Sequence, residues 1–234
     1  MTRASDLATL LTTGGTIPTV TASTAVKTPL VEFTDGDDAL TITDGGNVNV
    51  NGTLQQGSSA VKVAGKETIY VPAAAMYPNT TNGCASLAQV ELSNGPEIKV
   101  LDFDASSDEN AQFTVAFPDS WNEGTVTFQA FFTVTGTNTG TVAWGLSGVA
   151  VADNDSCNTA FGTNVVATAK AHSGTSNDIN VTAESGAVTI AGSPSTGEFV
   201  FFQVMRDVSA DDQSGDARLL GIKLFFTTDA KNDG

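Results

Sequence analysis

Residues 124–136 read GTVTFQAFFTVTG, a stretch in which apolar and polar side chains alternate. This period of two is typical of a β-strand that buries one face. The apolar set, predicted to face a core, is Val126, Phe128, Ala130 and Phe132. Phe131 breaks the opposite face, which otherwise carries Thr and Gln.

Similar strand candidates fill the rest of the chain from about residue 61, with Gly, Asn, Asp or Pro turns between them and no intervening helix. This pattern predicts an all-β domain over residues 61–234, an antiparallel, jelly-roll-like β-sandwich. The run FVFF at 199–202 is apolar on both faces, which favours a central strand or one covered by a neighbouring subunit. The other candidates are 61–72, 88–93, 97–104, 111–118, 141–151, 164–171, 178–183, 187–192, 198–208 and 217–229.

The composition limits the partners of this 234-residue chain. With 26 Asp and Glu against 10 Lys and Arg, the formal net charge is −16, which argues against nucleic acid as a ligand. No apolar run of about 18 residues is present, so membrane insertion is not expected, and no export signal is visible. Cys84 and Cys157 are too few for a disulfide framework and are predicted to be reduced, buried thiols.

Residues 1–28 are predicted to form an N-terminal anchor helix followed by a linker. Ser5 can cap the helix, and Leu7, Leu10 and Leu11 make one apolar stripe along it. A helix of about two turns is not stable alone. The three leucines are therefore predicted to dock on a partner surface.

Residues 29–60 are predicted to form a thin β stalk. Three very short strand candidates, 30–33, 39–43 and 48–52, are separated by the turn signals TDGDD and TDGG. Such short strands cannot bury a core in one copy, so the hypothesis is an intertwined homotrimer. The residues predicted to point toward its axis are Leu30, Val31, Phe33, Leu40, Ile42, Val48 and Val50.

Four segments resemble the virion proteins of marine bacteriophages, notably cyanophage tail-fibre or head-fibre proteins. MTRASDLATLL at 1–11 is similar to their N-termini, and LVEFTDGDDALTITDGGNVNVNG at 30–52 to their stalks. The segments LDFDASSDENAQFTVAFPDSWNEGTVTFQAFF at 101–132 and VAWGLSGVAVADND at 142–155 are similar to their C-terminal domains. The resemblance implies a homotrimeric fibre of the virion, assembled in the host cytoplasm, bound to other tail or capsid proteins and exposing its outer domain to a host glycan or protein.

Catalytic and metal sites have little support in the sequence. His172 is the only histidine and no G-x-S-x-G motif is present, so the chain is predicted not to be an enzyme and to need no cofactor. His172 is predicted to be a surface or subunit-contact residue. Asp207, Asp211 and Asp212 form the best carboxylate cluster for a possible Ca²⁺ site, although Asp is also common in ordinary turns.

Two aromatic residues in turns are candidates for carbohydrate binding, since a sugar can stack on an exposed ring flanked by Asp or Asn. One group is Trp121 with Asp119 and Asn122, and the other is Tyr77 with Asn79. The alternative for Trp121, which the sequence favours, is a structural corner that closes the end of the sandwich. Trp144 lies within a strand and is predicted to belong to the core.

Three functions follow from these patterns. The leading hypothesis is a structural virion protein, a trimeric fibre for host adhesion. A second is a capsid decoration or cement protein that grips the capsid through residues 1–28. A third is a carbohydrate-binding, lectin-like module.

Overall fold

The computed structural model describes residues 30–32, 38–42, 48–50, 53–56, 58–60 and 64–229. The chain divides into two compact units, Met1–Val61 and Lys62–Gly234. The predicted anchor with Leu7, Leu10 and Leu11 lies outside the described residues, as does Phe33 of the predicted stalk. The boundaries of the anchor and stalk therefore stay predictions.

The first unit contains short antiparallel strands. β1 (Leu30–Glu32), β2 (Asp38–Ile42) and β3 (Val48–Val50) form one sheet in the order of the sequence. β4 (Gln55–Gln56) and β5 (Ser59–Ala60) form a separate two-stranded pair. The three short strands predicted from 30–52 are thus present, and Val50 is 44% exposed in the single chain. Their burial in a trimer stays a prediction.

The second unit contains fourteen strands and one 3₁₀ turn, Ala73–Ala75, among its described residues. The strands are β6 (Gly65–Pro72), β7 (Tyr77–Pro78), β8 (Ala88–Glu91), β9 (Glu97–Phe103), β10 (Glu109–Ala116), β11 (Thr127–Val134), β12 (Thr141–Val142), β13 (Trp144–Val151), β14 (Val165–Val166), β15 (Lys170–Ala171), β16 (Asn180–Val181), β17 (Ile190–Ala191), β18 (Phe199–Arg206) and β19 (Ala217–Thr228).

Most of these strands form two six-stranded sheets. Sheet I has the order β14-β13-β18-β10-β7, with β17 paired in parallel to β13. Sheet II has the order β16-β11-β19-β9-β8, with β6 paired to β19. The long pairings β10 with β18, β13 with β18 and β11 with β19 are antiparallel and join segments far apart in sequence. The predicted jelly-roll-like, antiparallel β-sandwich is confirmed.

The core lies between the inner faces of the two sheets. Phe128, Ala130 and Phe132 of β11 are fully buried, as the alternation in 124–136 predicts. Phe202 of β18 stacks on Phe113 of β10 at 5.3 Å between ring centroids. β18 lies in the middle of sheet I, which confirms that the FVFF run belongs to a central strand.

Candidate functional site: an aromatic face on sheet II

Three neighbouring strands, β6, β19 and β11, build one part of the outer face of sheet II. Ile222, Leu224 and Phe226 of β19 are buried in the core, so the residues between them face outward. The register places these outward residues in three rows that cross the strands. The rows are Pro72, Gly221 and Phe131; then Tyr70, Lys223 and Gln129; then Thr68, Phe225 and Thr127. We call this array, with Lys66 and Glu184 beside it, the aromatic face.

Tyr70 is held in one orientation on this face by three contacts. Its ring lies over Gly221, where an added Cβ would come within 2.6 Å of the Tyr70 Cζ. Its hydroxyl donates a hydrogen bond to the carbonyl oxygen of Leu220 at 3.2 Å, and burial raises the pKa of this phenol. Its ring meets that of Phe131 edge-to-face at 5.6 Å. Because Tyr70 is still 50% exposed, the fixed ring presents an apolar surface to solvent.

Two positive charges lie close to a second ring, that of Phe225 in the third row. Lys66 Nζ and Lys223 Nζ lie 4.8 and 4.9 Å from the centroid of Phe225, within the range of a cation–π interaction. Lys66 also donates a hydrogen bond to Glu184, as does the Thr127 hydroxyl. The hydrogen bond from Lys66 and that from Thr127 lower the pKa of Glu184, with smaller contributions from the charges of both lysines, so this carboxylate is ionised at neutral pH. Two positive charges, on Lys66 and Lys223, and one negative charge, on Glu184, therefore lie near the Phe225 ring.

The aromatic face also carries oriented hydrogen-bonding groups. Gln129 is oriented by a hydrogen bond from its side-chain amide to the Thr182 carbonyl oxygen at 2.9 Å. An exposed ring, an oriented amide and ammonium groups suit a ligand with one apolar face and many hydroxyls. Within the described part of the chain, no group of three or more His, Cys, Asp and Glu side chains is placed to hold a metal ion.

Trp121 is not a ligand contact. It is 1% exposed, and its indole stacks on Phe117 at 4.3 Å between centroids. A ring enclosed in this way cannot stack on a sugar, which corrects the predicted carbohydrate site and agrees with the structural corner that the sequence favours. The flanking residues Asp119 and Asn122 are exposed, and the Asn122 Oδ1 accepts a hydrogen bond from the Gly124 N–H at 3.1 Å.

Tyr77 is exposed, as its predicted role requires, but it lies in a different place from Trp121. It pairs with Gln112 at the edge of sheet I, and it is 46% exposed. Asn79 donates a hydrogen bond from its side chain to Gln203 at 2.8 Å. Tyr77 therefore has the exposure that its predicted role requires, on sheet I and not on the aromatic face. Trp144 is fully buried against Phe103, which confirms it as a core residue.

The predicted Ca²⁺ cluster does not form, because each carboxylate has another partner. Asp211 accepts two hydrogen bonds from the buried guanidinium of Arg206. Asp212 accepts hydrogen bonds from the backbone N–H and hydroxyl of Thr141, which lower its pKa, and Asp207 accepts them from Ser209. A cation at Asp211 would have to displace Arg206, so these three carboxylates do not form the Ca²⁺ site that the sequence left open.

His172 is buried rather than on the surface, at 3% exposure. Its Nδ1 lies 2.8 Å from the carbonyl oxygen of Asn138 and its Nε2 lies 3.0 Å from that of Thr175. The ring connects the two loops that contain these carbonyl groups, and both of its nitrogens are occupied, so neither is free for catalysis.

Both cysteines are free thiols, as predicted, but only Cys84 is buried and Cys157 is exposed.

Tyr70, Lys223 and Phe225 are site residues that the sequence alone did not predict. Phe131 was the available signal, because it breaks a polar face and so marks an outward aromatic residue. The remaining members come from strands about 60 and 90 residues away along the chain, so only the register brings them to Phe131.

The described residues contain no helix long and apolar enough to span a membrane.

Comparisons with known proteins give solved structures only, since no family model and no curated sequence matches the chain. The CBM36-1 domain of a multidomain xylanase from the hindgut metagenome of Trinervitermes trinervoides is 13% identical, with a TM-score of 0.34 over 68% of this chain and 96% of that one. The C-terminal CBM6 of a marine laminarinase from Zobellia galactanivorans is 14% identical, with a TM-score of 0.33 over 68% and 98%. The family 11 carbohydrate-binding module from Clostridium thermocellum is 8% identical, with a TM-score of 0.34 over 74% and 94%.

Proposed function

We propose that the chain is a non-enzymatic recognition protein whose β-sandwich binds carbohydrate on the aromatic face of sheet II. The observation that carries this proposal is the Tyr70 ring, which is fixed over Gly221 and half exposed. The C–H face of a pyranose can stack on such a ring. Gln129 and Lys223, the row neighbours of Tyr70, supply donors for the hydroxyl groups at its rim.

Preorganisation supports the same proposal. The Tyr70 hydroxyl is bonded to Leu220 and the ring edge contacts Phe131, so little side-chain entropy remains to be lost when a ligand binds. Gly221 leaves the space that the hydroxyl end of this ring occupies.

The test is saccharide binding by the full chain, measured by isothermal titration against a panel of soluble polysaccharides. Tyr70→Ala is expected to abolish binding, since it removes the stacking surface. Tyr77→Ala is the matched control, because Tyr77 is about equally exposed but lies on sheet I. Binding that survives Tyr70→Ala and disappears with Tyr77→Ala would overturn this assignment of the site.

We also propose that this module belongs to a virion fibre or, alternatively, to a capsid decoration protein. The support is the resemblance of residues 1–11, 30–52, 101–132 and 142–155 to marine phage fibre proteins, together with the division into a small first unit and a large β-sandwich. In a trimer, weak glycan contacts from three copies would add through effective concentration.

Light scattering tests the fibre proposal. The full chain is expected to have the mass of a trimer, and a variant starting at residue 61 the mass of a monomer. A monomeric full-length chain would contradict the intertwined stalk and favour the decoration protein, whose first residues need only its docking partner.

A further inference from the structure

We propose that the aromatic face selects acidic saccharides and that Lys223 contacts their carboxylate or sulfate groups. This inference rests on the proposed carbohydrate binding and adds the class of ligand. It depends on where the chain puts its few positive charges.

Cationic side chains are scarce on this protein, whose formal net charge is −16. Those of the described residues are Lys66, Lys99, Lys170, Arg206, Arg218 and Lys223. Arg206 is paired with Asp211, and Arg218 with Asp102. Two of the four lysines nevertheless lie within 5 Å of the same ring, that of Phe225. A structural cation–π contact needs one ammonium group, and a second adds repulsion between like charges.

Lys223 has no direct ion-pair partner among the described residues. Lys66 forms an ion pair with Glu184, whereas no carboxylate of the described residues lies within 4.0 Å of Lys223 Nζ. The local sum of Lys66, Lys223 and Glu184 is one positive charge. An anionic group on a ligand would supply the direct partner that the described residues do not give Lys223.

The position of Lys223 matches that role. It lies between Tyr70 and Gln129 in one row, and adjacent strands are about 4.8 Å apart. A sugar stacked on Tyr70 would therefore extend its ring substituents over the neighbouring strand, where Lys223 projects. Phe225 follows two residues later on the same face and holds the ammonium close to the sheet.

Glu184 limits the positive charge of the site. Because its carboxylate is bonded to Lys66 and Thr127, it lies beside the same ring and weakens the attraction for an anion. Removing this charge should strengthen the binding of an acidic saccharide. A purely structural role of the lysines predicts no such gain.

The test is titration of the full chain at physiological ionic strength, where repulsion from the distant acidic surface is largely screened. The probes are oligogalacturonate, its methyl-esterified neutral form and a sulfated galactan oligosaccharide. The wild-type protein is expected to bind at least one acidic probe more tightly than the neutral one. Comparing the two acidic probes decides between a carboxylated and a sulfated ligand.

Three variants isolate the charge. Lys223→Gln is expected to weaken acidic binding about fivefold, the upper range for an exposed ion pair, with little change for the neutral probe. Glu184→Gln is expected to strengthen acidic binding by a factor of about two to five. Lys99→Gln is the control, because this lysine is bonded to Gln89 on another part of sheet II and should leave all affinities unchanged.

The outcomes separate this inference from the proposed function. Equal affinity for acidic and neutral probes, or an equal loss for both with Lys223→Gln, would overturn the selection of acidic saccharides and leave carbohydrate binding intact. No binding of any saccharide would overturn both. Circular dichroism of each variant shows that a lost affinity is not a lost fold.

Discussion

Arg206 and Asp211 form a fully buried, two-point ion pair at one end of the sandwich. Arg206 Nε donates to Asp211 Oδ2 at 2.8 Å and Nη2 donates to Oδ1 at 3.2 Å. The other guanidinium N–H groups donate to the carbonyl oxygens of Phe103, Gly215 and Gln213, so all five donors are used. Arg206 is the last residue of β18 in sheet I, and its bond to Phe103 reaches β9 of sheet II. Its guanidinium therefore connects the 207–216 loop to both sheets.

Breaking this pair should be strongly destabilising. Asp211→Ala leaves the Arg206 charge buried without its counterion, and we expect the free energy of unfolding to fall by about 3–5 kcal/mol. The measurement is a urea denaturation curve. Lys66→Gln is the control, since the Lys66–Glu184 pair is partly exposed and should contribute less than about 1 kcal/mol. A similar small loss for both variants would contradict the large contribution to the free energy of unfolding that we expect from the buried pair.

Gly221→Ala tests whether the glycine orients Tyr70. The added methyl group would lie 2.5 Å from the Tyr70 hydroxyl oxygen and 2.7 Å from the Val71 carbonyl oxygen, so the ring and the strand must both shift. We expect the free energy of unfolding to fall by about 1–3 kcal/mol and saccharide binding to be lost. Both are measured on the purified variant, by urea denaturation and by titration.

Gly65→Ala is the matched control for Gly221→Ala. Gly65 also lies in sheet II, at the start of β6, but a Cβ added there would meet no atom within 4 Å. This substitution should leave stability and binding nearly unchanged. Tyr70→Phe should also retain binding, because it keeps the ring and removes only the bond to Leu220. Binding that survives Gly221→Ala would show that the ring does not need its present orientation.

The fold was predictable because strand periodicity is a local property. The alternation in 124–136 identifies Phe128, Ala130 and Phe132 as core residues, and all three are fully buried. The position of Trp121 illustrates the limit of this reasoning. A turn-like context suggested an exposed ring as one option, whereas the stacking partner that buries it, Phe117, is specified only by tertiary packing.

The site was predictable only in part because it depends on strand register. Phe131 and Tyr70 lie on different strands, and both strands pair with the same short segment of β19. A shift of one residue in either pairing would turn Tyr70 or Phe131 toward the other face. Sequence alone indicates that a face is unusual, and the register determines which residues share it.

Trp121→Ala should reduce stability without a specific effect on binding. Removing a fully buried indole is expected to cost about 3–5 kcal/mol, because a cavity is left against Phe117. Thermal unfolding measures the loss. Saccharide affinity of the protein that remains folded should equal that of the wild type, and a selective loss of affinity would make Trp121 a ligand contact after all.

The two thiols should differ in reactivity. Burial, with smaller contributions from the negative charges of Glu109 and Asp102, raises the pKa of Cys84 to about 12. The thiolate is the reactive form, so Cys84 should not react in the native protein, whereas the exposed Cys157 should. A thiol-specific reagent at pH 8 is expected to label one cysteine in native protein and two after denaturation. Labelling of both in native protein would contradict the burial of Cys84.

Asp212 should make part of the stability depend on acid pH. Hydrogen bonds from the Thr141 backbone N–H and hydroxyl lower its pKa below the ordinary value of 3.8, so the folded state binds the proton less tightly than the unfolded state. This contribution is present above that value and is lost as pH falls through the lower folded pKa. Asp212→Asn is therefore expected to lower the unfolding temperature at pH 7 and to have a much smaller effect near pH 2, measured against Asp119→Asn as an exposed control. An equal effect of Asp212→Asn at both pH values would show that the charge of Asp212 does not contribute.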